Sequence, residues 1–419
     1  MAENENSRVN SGASGSGGFR TSPWLPAHVA AITVTPENTI PRIAPDRCSP
    51  ILPGVDLWDV WPLQHADGST FAFDGWSVWF VLSAPSLPDP EDRHAVARIR
   101  LMTRRVTQAP DGLPVIEWRD GGDALPDGLC PGRREWAGSA LYDPARGTVT
   151  LFWTASGFRG EDRAFFAQRL FHARARLDMR DGDVTLSDWS APIETLAADG
   201  ATYLRTAEIE HPKGLIKGFR DPAHFRDPAD GARYLVFTAS LGASSSRWSG
   251  CIGIARASDA TLDQWELLPP LVTADQFNNE LERPILLHRD GHYYLFWSTQ
   301  RHVFAPDGPT GPNGLYAMVA PAITGPWQPV NGSGLIAANP ADTPYQAYSW
   351  WVLDDLTVAG FTDYPGVAPD GKRDDAAWRR ARFAATPAPL FRIVLAGDRA
   401  WVDSDWTPPA AMVIEPDAR

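Results

Sequence analysis

Cysteine is scarce. The 419 residues contain three, Cys48, Cys130 and Cys251, too far apart for a C-x-x-C metal or redox motif. An odd number cannot pair completely within one chain, so they read as small buried apolar residues. Lysine is equally rare: Lys213, Lys217 and Lys372 are the only lysines among 38 basic side chains, against 51 acids and a formal charge of −13. Such a surface repels polyanions, which argues against nucleic acid as a ligand. No apolar run approaches the roughly 18–20 residues of a membrane span, so no membrane partner is expected. The Gly-rich stretch at 12–18 precedes no strand–helix unit and is no phosphate loop, and a G-x-S-x-G elbow is lacking. His288 and His292 are four apart but flank Asp290-Gly291, a turn, which excludes the helical zinc geometry of H-E-x-x-H. The other histidines read as surface or core residues.

Abundance lies elsewhere, in 18 Trp, 18 Phe, 38 Pro and 35 Gly. Many aromatics among many turn residues suggest short strands and tight loops, and argue against a helical bundle. Residues 1–22 are low-complexity Ser, Gly and Asn, read as a disordered polar tail. No linker divides 23–419, where an aromatic and β-branched run recurs: SVWFVLSA (77–84), TVTLFWTA (148–155), RYLVFTAS (233–240), YYLFWSTQ (293–300) and LTVAGFTD (356–363). Each follows turn chemistry such as Asp143-Pro144 or Asp290-Gly291. A spacing of 60–84 residues suits four short strands with loops, so five units predict an all-β, five-bladed β-propeller in a single domain, with a central funnel-shaped active site. Two tandem β-sandwiches are the alternative, disfavoured because the repeat continues without a linker.

In a propeller, polar residues from distant positions converge on the axis. Three acidic segments stand out: Asp59 between Trp58 and Trp61, Arg220-Asp221-Pro222, and Glu280-Leu281-Glu282-Arg283-Pro284. Alone, each suits a turn or a solvated edge. Together, one acid from each of three units amid aromatics favours a glycosidase. Cleaving a glycosidic bond takes a protonated carboxylic acid at the leaving oxygen and an ionised carboxylate at the anomeric carbon. A second Glu two residues away raises the pKa of the acid, and an Arg keeps a stabilising carboxylate ionised.

WDVWPLQ (58–64), EWAGSA (135–140), FRDP (219–222), ELERP (280–284) and AYSWW (347–351) resemble, in order, the motifs of family 68 glycoside hydrolases, the levansucrases, inulosucrases and related bacterial β-fructofuranosidases. The resemblance implies a five-bladed propeller and retaining cleavage of sucrose, with transfer of the fructosyl unit to water or to acceptor sugars. It implies Asp59 as nucleophile, Asp221 as transition-state stabiliser and Glu282 as general acid/base. Trp58, Trp136 and Arg220 would line the fructosyl subsite and Tyr348 would support the acid. Glu280 would bind the glucosyl side, and Arg283 would belong to the substrate-binding set.

Three departures qualify it. Ala137 stands where the family usually has a Ser bonded to the nucleophile, and Ser139 is too far along the strand to replace it. Gln300 stands where polymer-forming relatives carry His or Arg, which favours hydrolysis and short transfer products; a polymer-forming levansucrase is the alternative. Relatives with a calcium site carry Asp where Asn279 stands, so a structural calcium is doubtful and no cofactor is expected. The related invertase family has a different nucleophile motif, and a non-catalytic carbohydrate-binding propeller is the remaining alternative. With no apolar signal segment, the expected location is outside the cell by a route without a recognisable signal peptide, or the cytoplasm.

Overall fold

The computed structural model describes residues 18–108, 114–161, 166–208 and 215–411. Strands dominate, and the two α-helices, Pro26–Ala30 and Ala376–Arg380, have five residues each. Among the described residues no helix is long and apolar enough to cross a membrane.

The strands form successive antiparallel meanders. The first runs Val55–Gln64, Trp76–Pro85, Arg98–Gln108 and Pro114–Asp123. The second runs Arg134–Asp143, Thr148–Ser156, Gln168–Arg180 and Asp183–Ser187. The third is Phe219–Arg226, Arg233–Ser240, Gly250–Ala257 and Trp265–Thr273. The fourth has Glu282–Arg289, His292–Thr299 and Gly314–Ala320, with Gln328–Pro329 and Leu335–Ala338 both on its last long strand. The fifth is Ala347–Val352, Thr357–Thr362, Phe391–Ala396 and Arg399–Val402. Each first strand packs against the next, and the fifth packs back on the first, so the inner strands close a ring. The molecule is an all-β propeller.

Every recurring aromatic run is the second strand of its meander. These strands are covered on both faces, and so read as continuous apolar sequence rather than alternating. Trp79, Trp153 and Trp297 are fully buried there. The turn chemistry holds too: Asp290 and Gly291 both have positive φ, 50° and 76°, as a two-residue hairpin between Arg289 and His292 requires.

The start of the packed chain differs from the expectation of a tail through residue 22. Residues 1–17 lie outside the described residues, but Phe19 packs on Tyr234 and Ser22–Pro23 pair in parallel with Val272–Thr273 of the third meander. The aromatic ring of Phe19 supplies the anchor that low-complexity composition conceals. At the other end, Ala410–Ala411 pair with Val115–Ile116 of the first meander.

Candidate active site

Each inner strand breaks register once, near its start: at Trp58/Val60, Trp136/Gly138, Arg220/Ala223, Glu282/Ile285 and Tyr348/Trp351. An extra residue in one strand of a pair makes a bulge that turns side chains out of the ladder. In three strands the bulge places a non-glycine residue at positive φ: Asp221 at 60°, Arg283 at 49° and Ser349 at 61°. Pro222 and Pro284 sit within two of them, where the missing N–H costs no ladder bond. In the second strand the chains approach so closely that a Cβ on Gly138 would lie 1.9 Å from the Phe152 carbonyl oxygen, which explains the glycine after Ala137.

Hydroxyls on the second strands stitch these bulges together. Thr154 Oγ1 donates to the Ala137 carbonyl at 3.0 Å and accepts from Asp221 N at 2.9 Å. Thr238 Oγ1 donates to Asp221 Oδ2 and accepts from Arg283 N, both at 3.0 Å. Ser298 Oγ accepts from Trp350 N at 3.1 Å. The five bulges therefore form one surface at one end of the ring.

Arg220 centres the charge on that surface. Its Nη2 lies 2.6 Å from Glu282 Oε1 and 3.3 Å from Glu280 Oε2, and its Nε is 3.4 Å from Asp221 Oδ2. Tyr348 donates a short hydrogen bond to Glu282 Oε2. Burial pushes Asp221 up to about 7; Arg220 opposes this, and the negative charges of Glu282 and Asp59 add to it. Burial and the neighbouring Glu282 charge push Glu280 up to about 8. Burial would raise Glu282 as well, but Arg220 and the Tyr348 hydroxyl hold it below its ordinary value. The two neighbouring carboxyls are thus pushed apart, Glu280 above and Glu282 below the ordinary value.

The structure brings Asp59, Asp221, Glu280, Glu282, Arg220, Trp136 and Tyr348 together, and places other residues differently. Asp59 is half-buried and, among the described residues, has no hydrogen-bond or ion-pair partner. Ala137 offers it no hydroxyl, and Ser139 Oγ accepts from His224 N of the third meander at 3.1 Å. Trp58 is only 1% exposed, with the Arg93 guanidinium 5.6 Å and the His94 ring 5.8 Å from it. Gln300 follows the second strand of the fourth meander, half-buried, and its side chain makes no hydrogen bond among the described residues. Arg283, expected in the substrate-binding set, has a guanidinium that donates to the Ser349 carbonyl, Ser349 Oγ and the Val60 carbonyl, near the Trp61 and Trp351 rings. The hydrogen bonds it makes among the described residues join the fourth meander to the fifth and the first.

Asn279 turns its amide nitrogen to Glu280 Oε1 and the Ile216 carbonyl, each at 3.0 Å. The Asn279 amide oxygen is buried without a partner among the described residues, and the position lacks the carboxylate charge expected there of a calcium site.

His94 and His302 were not anticipated. The His94 carbonyl accepts from Trp136 Nε1 at 3.2 Å, and its ring lies within the field of Glu282 and Arg220. Burial, then the Arg93 charge, lower the imidazole to about 3, so it is neutral. His302, two residues past Gln300, also feels the Glu282 charge. Neither sits in a motif, so only the folded geometry reveals them.

The chain matches the family model described as Levansucrase/Invertase, of glycoside hydrolase family 68, over residues 20–248 and 242–407. It is 33% identical over 407 residues to levansucrase LscA of Pseudomonas savastanoi pv. glycinea, covering 88% of this chain and 90% of that protein. Among solved structures it superposes on the inulosucrase from Halalkalicoccus jeotgali bound to kestose with a TM-score of 0.82 and 37% identity, covering 91% of this chain and 95% of that one. The full-length β-fructofuranosidase from Microbacterium saccharophilum gives a TM-score of 0.79 at 25% identity, over 94% of this chain and 85% of that one. With its five motifs on five inner strands and these matches over most of its length, the chain belongs to the levansucrase/invertase family of glycoside hydrolases.

Proposed function

We propose that this protein is a retaining, sucrose-cleaving fructosyltransferase that passes the fructosyl unit to water or to sugar acceptors, with short oligosaccharides favoured over long levan. The observation that carries the reading is that Asp221 and Glu282 lie against Arg220 on adjoining bulges, with Tyr348 on Glu282 and the Asp59 charge acting on Asp221. Asp59 attacks the anomeric carbon of the fructosyl unit while the bond to the glucosyl oxygen breaks. Glu282 gives that oxygen the proton carried by the Glu280–Glu282 pair, and glucose leaves. Glu282, now ionised, takes a proton from water or an acceptor hydroxyl, whose oxygen displaces Asp59 from the anomeric carbon. Asp221 faces the positive charge that develops on the fructosyl ring, and Arg220 favours its ionised form. No step needs a metal or cofactor.

The preference for short products rests on Gln300, a neutral amide on the acceptor side of the funnel. The test is a chromatographic time course on sucrose that reads glucose, fructose and oligomers together. Glucose should appear with free fructose and short oligomers. Dominant high-molecular-mass levan at moderate sucrose would overturn the preference, and absence of glucose release would overturn the enzymatic reading. Asp59→Ala should abolish turnover, and Glu282→Gln should cut it by roughly 10²–10⁴-fold, each with an unchanged circular dichroism spectrum.

A further inference from the structure

The strand Arg98–Gln108 carries four arginines, and three have acidic partners. Arg98 Nε lies 2.8 Å from Glu135 Oε1, Arg100 Nε donates to Asp120 Oδ1 at 2.7 Å, and Arg105 Nη2 is 2.5 Å from Glu117 Oε2. Arg104 is the exception. Among the described residues no carboxylate or carbonyl accepts from its guanidinium, which lies over the rings of Trp79 at 4.7 Å and Trp118 at 5.8 Å. Stacking on indoles offsets part of the cost of burying the charge and leaves the N–H donors of this half-buried side chain without an acceptor from the protein among the described residues. Burial lowers its pKa to about 10, and the one acid that counters this, Asp355, already accepts from the N–H and hydroxyl of Thr357.

Arg104 opens onto a cavity of about 110 Å³ at the seam between the fifth and first meanders. Arg47, Cys48, Ser49, Thr362 and Thr386 share its lining, and no acid does, in a chain with 51 of them. Two cationic side chains around a small space that no acid lines make an anion site. The volume is well below the roughly 300–1,000 Å³ of pockets for larger organic ligands, and suits an ion.

We propose that this seam cavity binds a small tetrahedral oxyanion, phosphate or sulfate, held chiefly by Arg104 with Arg47. The site is separate from the sugar-binding surface and does not depend on the function proposed above. Because the anion binds the closed ring and not the unfolded chain, it raises the melting temperature by mass action. The experiment is thermal melting of the full chain in sodium phosphate, sulfate, acetate and chloride at one ionic strength. The wild type should show a saturable rise in phosphate and sulfate, with no such rise in acetate or chloride. In Arg104→Gln the rise should vanish. Arg47→Ala, at an exposed position the fold does not need, should weaken the apparent affinity for phosphate several-fold, and it carries the test if Arg104→Gln fails to fold. No saturable rise in the wild type, an equal rise in acetate, or a wild-type response in the variants would overturn the proposal.

Discussion

The carboxyls of Glu280 and Asp221 have their pKa values pushed above the ordinary range. Burial is the main cause for both, and the repulsion of Glu282 adds to it. A carboxyl whose folded pKa is raised contributes its stability fully below its unfolded value, near 4, and loses it as pH rises through the folded pKa. The window for Glu280 therefore runs from about pH 4 to about 8. At about 1.4 kcal/mol per unit, the loss across it is on the order of a few kcal/mol, an upper bound because Glu280 and Glu282 titrate together. Glu280→Gln keeps the shape and removes the titration. Calorimetric melts should give this variant a higher melting temperature than the wild type at pH 8 and no advantage at pH 4. Equal melting temperatures across the range would show that Glu280 is ionised at little cost. Such destabilisation by a set of like charges is what a site gathered for chemistry carries, and a purely structural cluster would not need it.

At the scale of the strand, the site is made by bulges and by the hydroxyls that pin them. Thr238 bonds both the Asp221 carboxylate and the Arg283 N–H, so it ties the third meander to the fourth. Thr238→Val is nearly isosteric and removes both bonds. It should cost about 1–3 kcal/mol, the penalty of a buried unmet donor, and should move the acid limb of the kcat/KM profile to higher pH because Asp221 loses a donor. Thr238→Ser should restore both readouts, and a Val variant with the wild-type pH profile would separate Thr238 from Asp221. The sequence shows these elements unevenly. The second strands are legible because burial on both faces leaves a continuous aromatic run, and the acids are legible because they lie in ordered motifs beside Trp and Arg. The bulges are not, since a register shift belongs to a pair of strands and changes no residue type. The sequence alone therefore does not reveal that Arg283, at the shift Glu282/Ile285, bonds the Val60 carbonyl. The hydroxyls carry a signal in the sequence: Thr154, Thr238 and Ser298 each stand near the end of their aromatic run.

Over the whole ring, closure depends on joints between meanders that lie far apart in the chain. Arg283 is the joint nearest the axis, running from the fourth meander to Ser349 of the fifth and Val60 of the first. It has no acidic partner among the described residues, so its charge is met by two backbone carbonyls, one hydroxyl and the faces of Trp61 and Trp351. Its positive charge also opposes the rise in the Asp221 pKa. Arg283→Met keeps most of the volume and leaves two buried carbonyls without donors, at about 1–3 kcal/mol each. The melting temperature should fall by roughly 5 °C or more. Arg283→Lys should recover only part of this, because an ammonium lacks the planar fork that spans acceptors on two strands. A site-lining arginine and a ring-closing one predict different losses here. Substrate contact alone would raise KM and leave the melting temperature unchanged, whereas the joint lowers the melting temperature of the sugar-free protein and moves the acid limb of its kcat/KM profile upward through Asp221. Thermal melts and pH profiles of the Met and Lys variants distinguish the two, and a normal melting temperature in Arg283→Met would return the residue to the sugar-binding set.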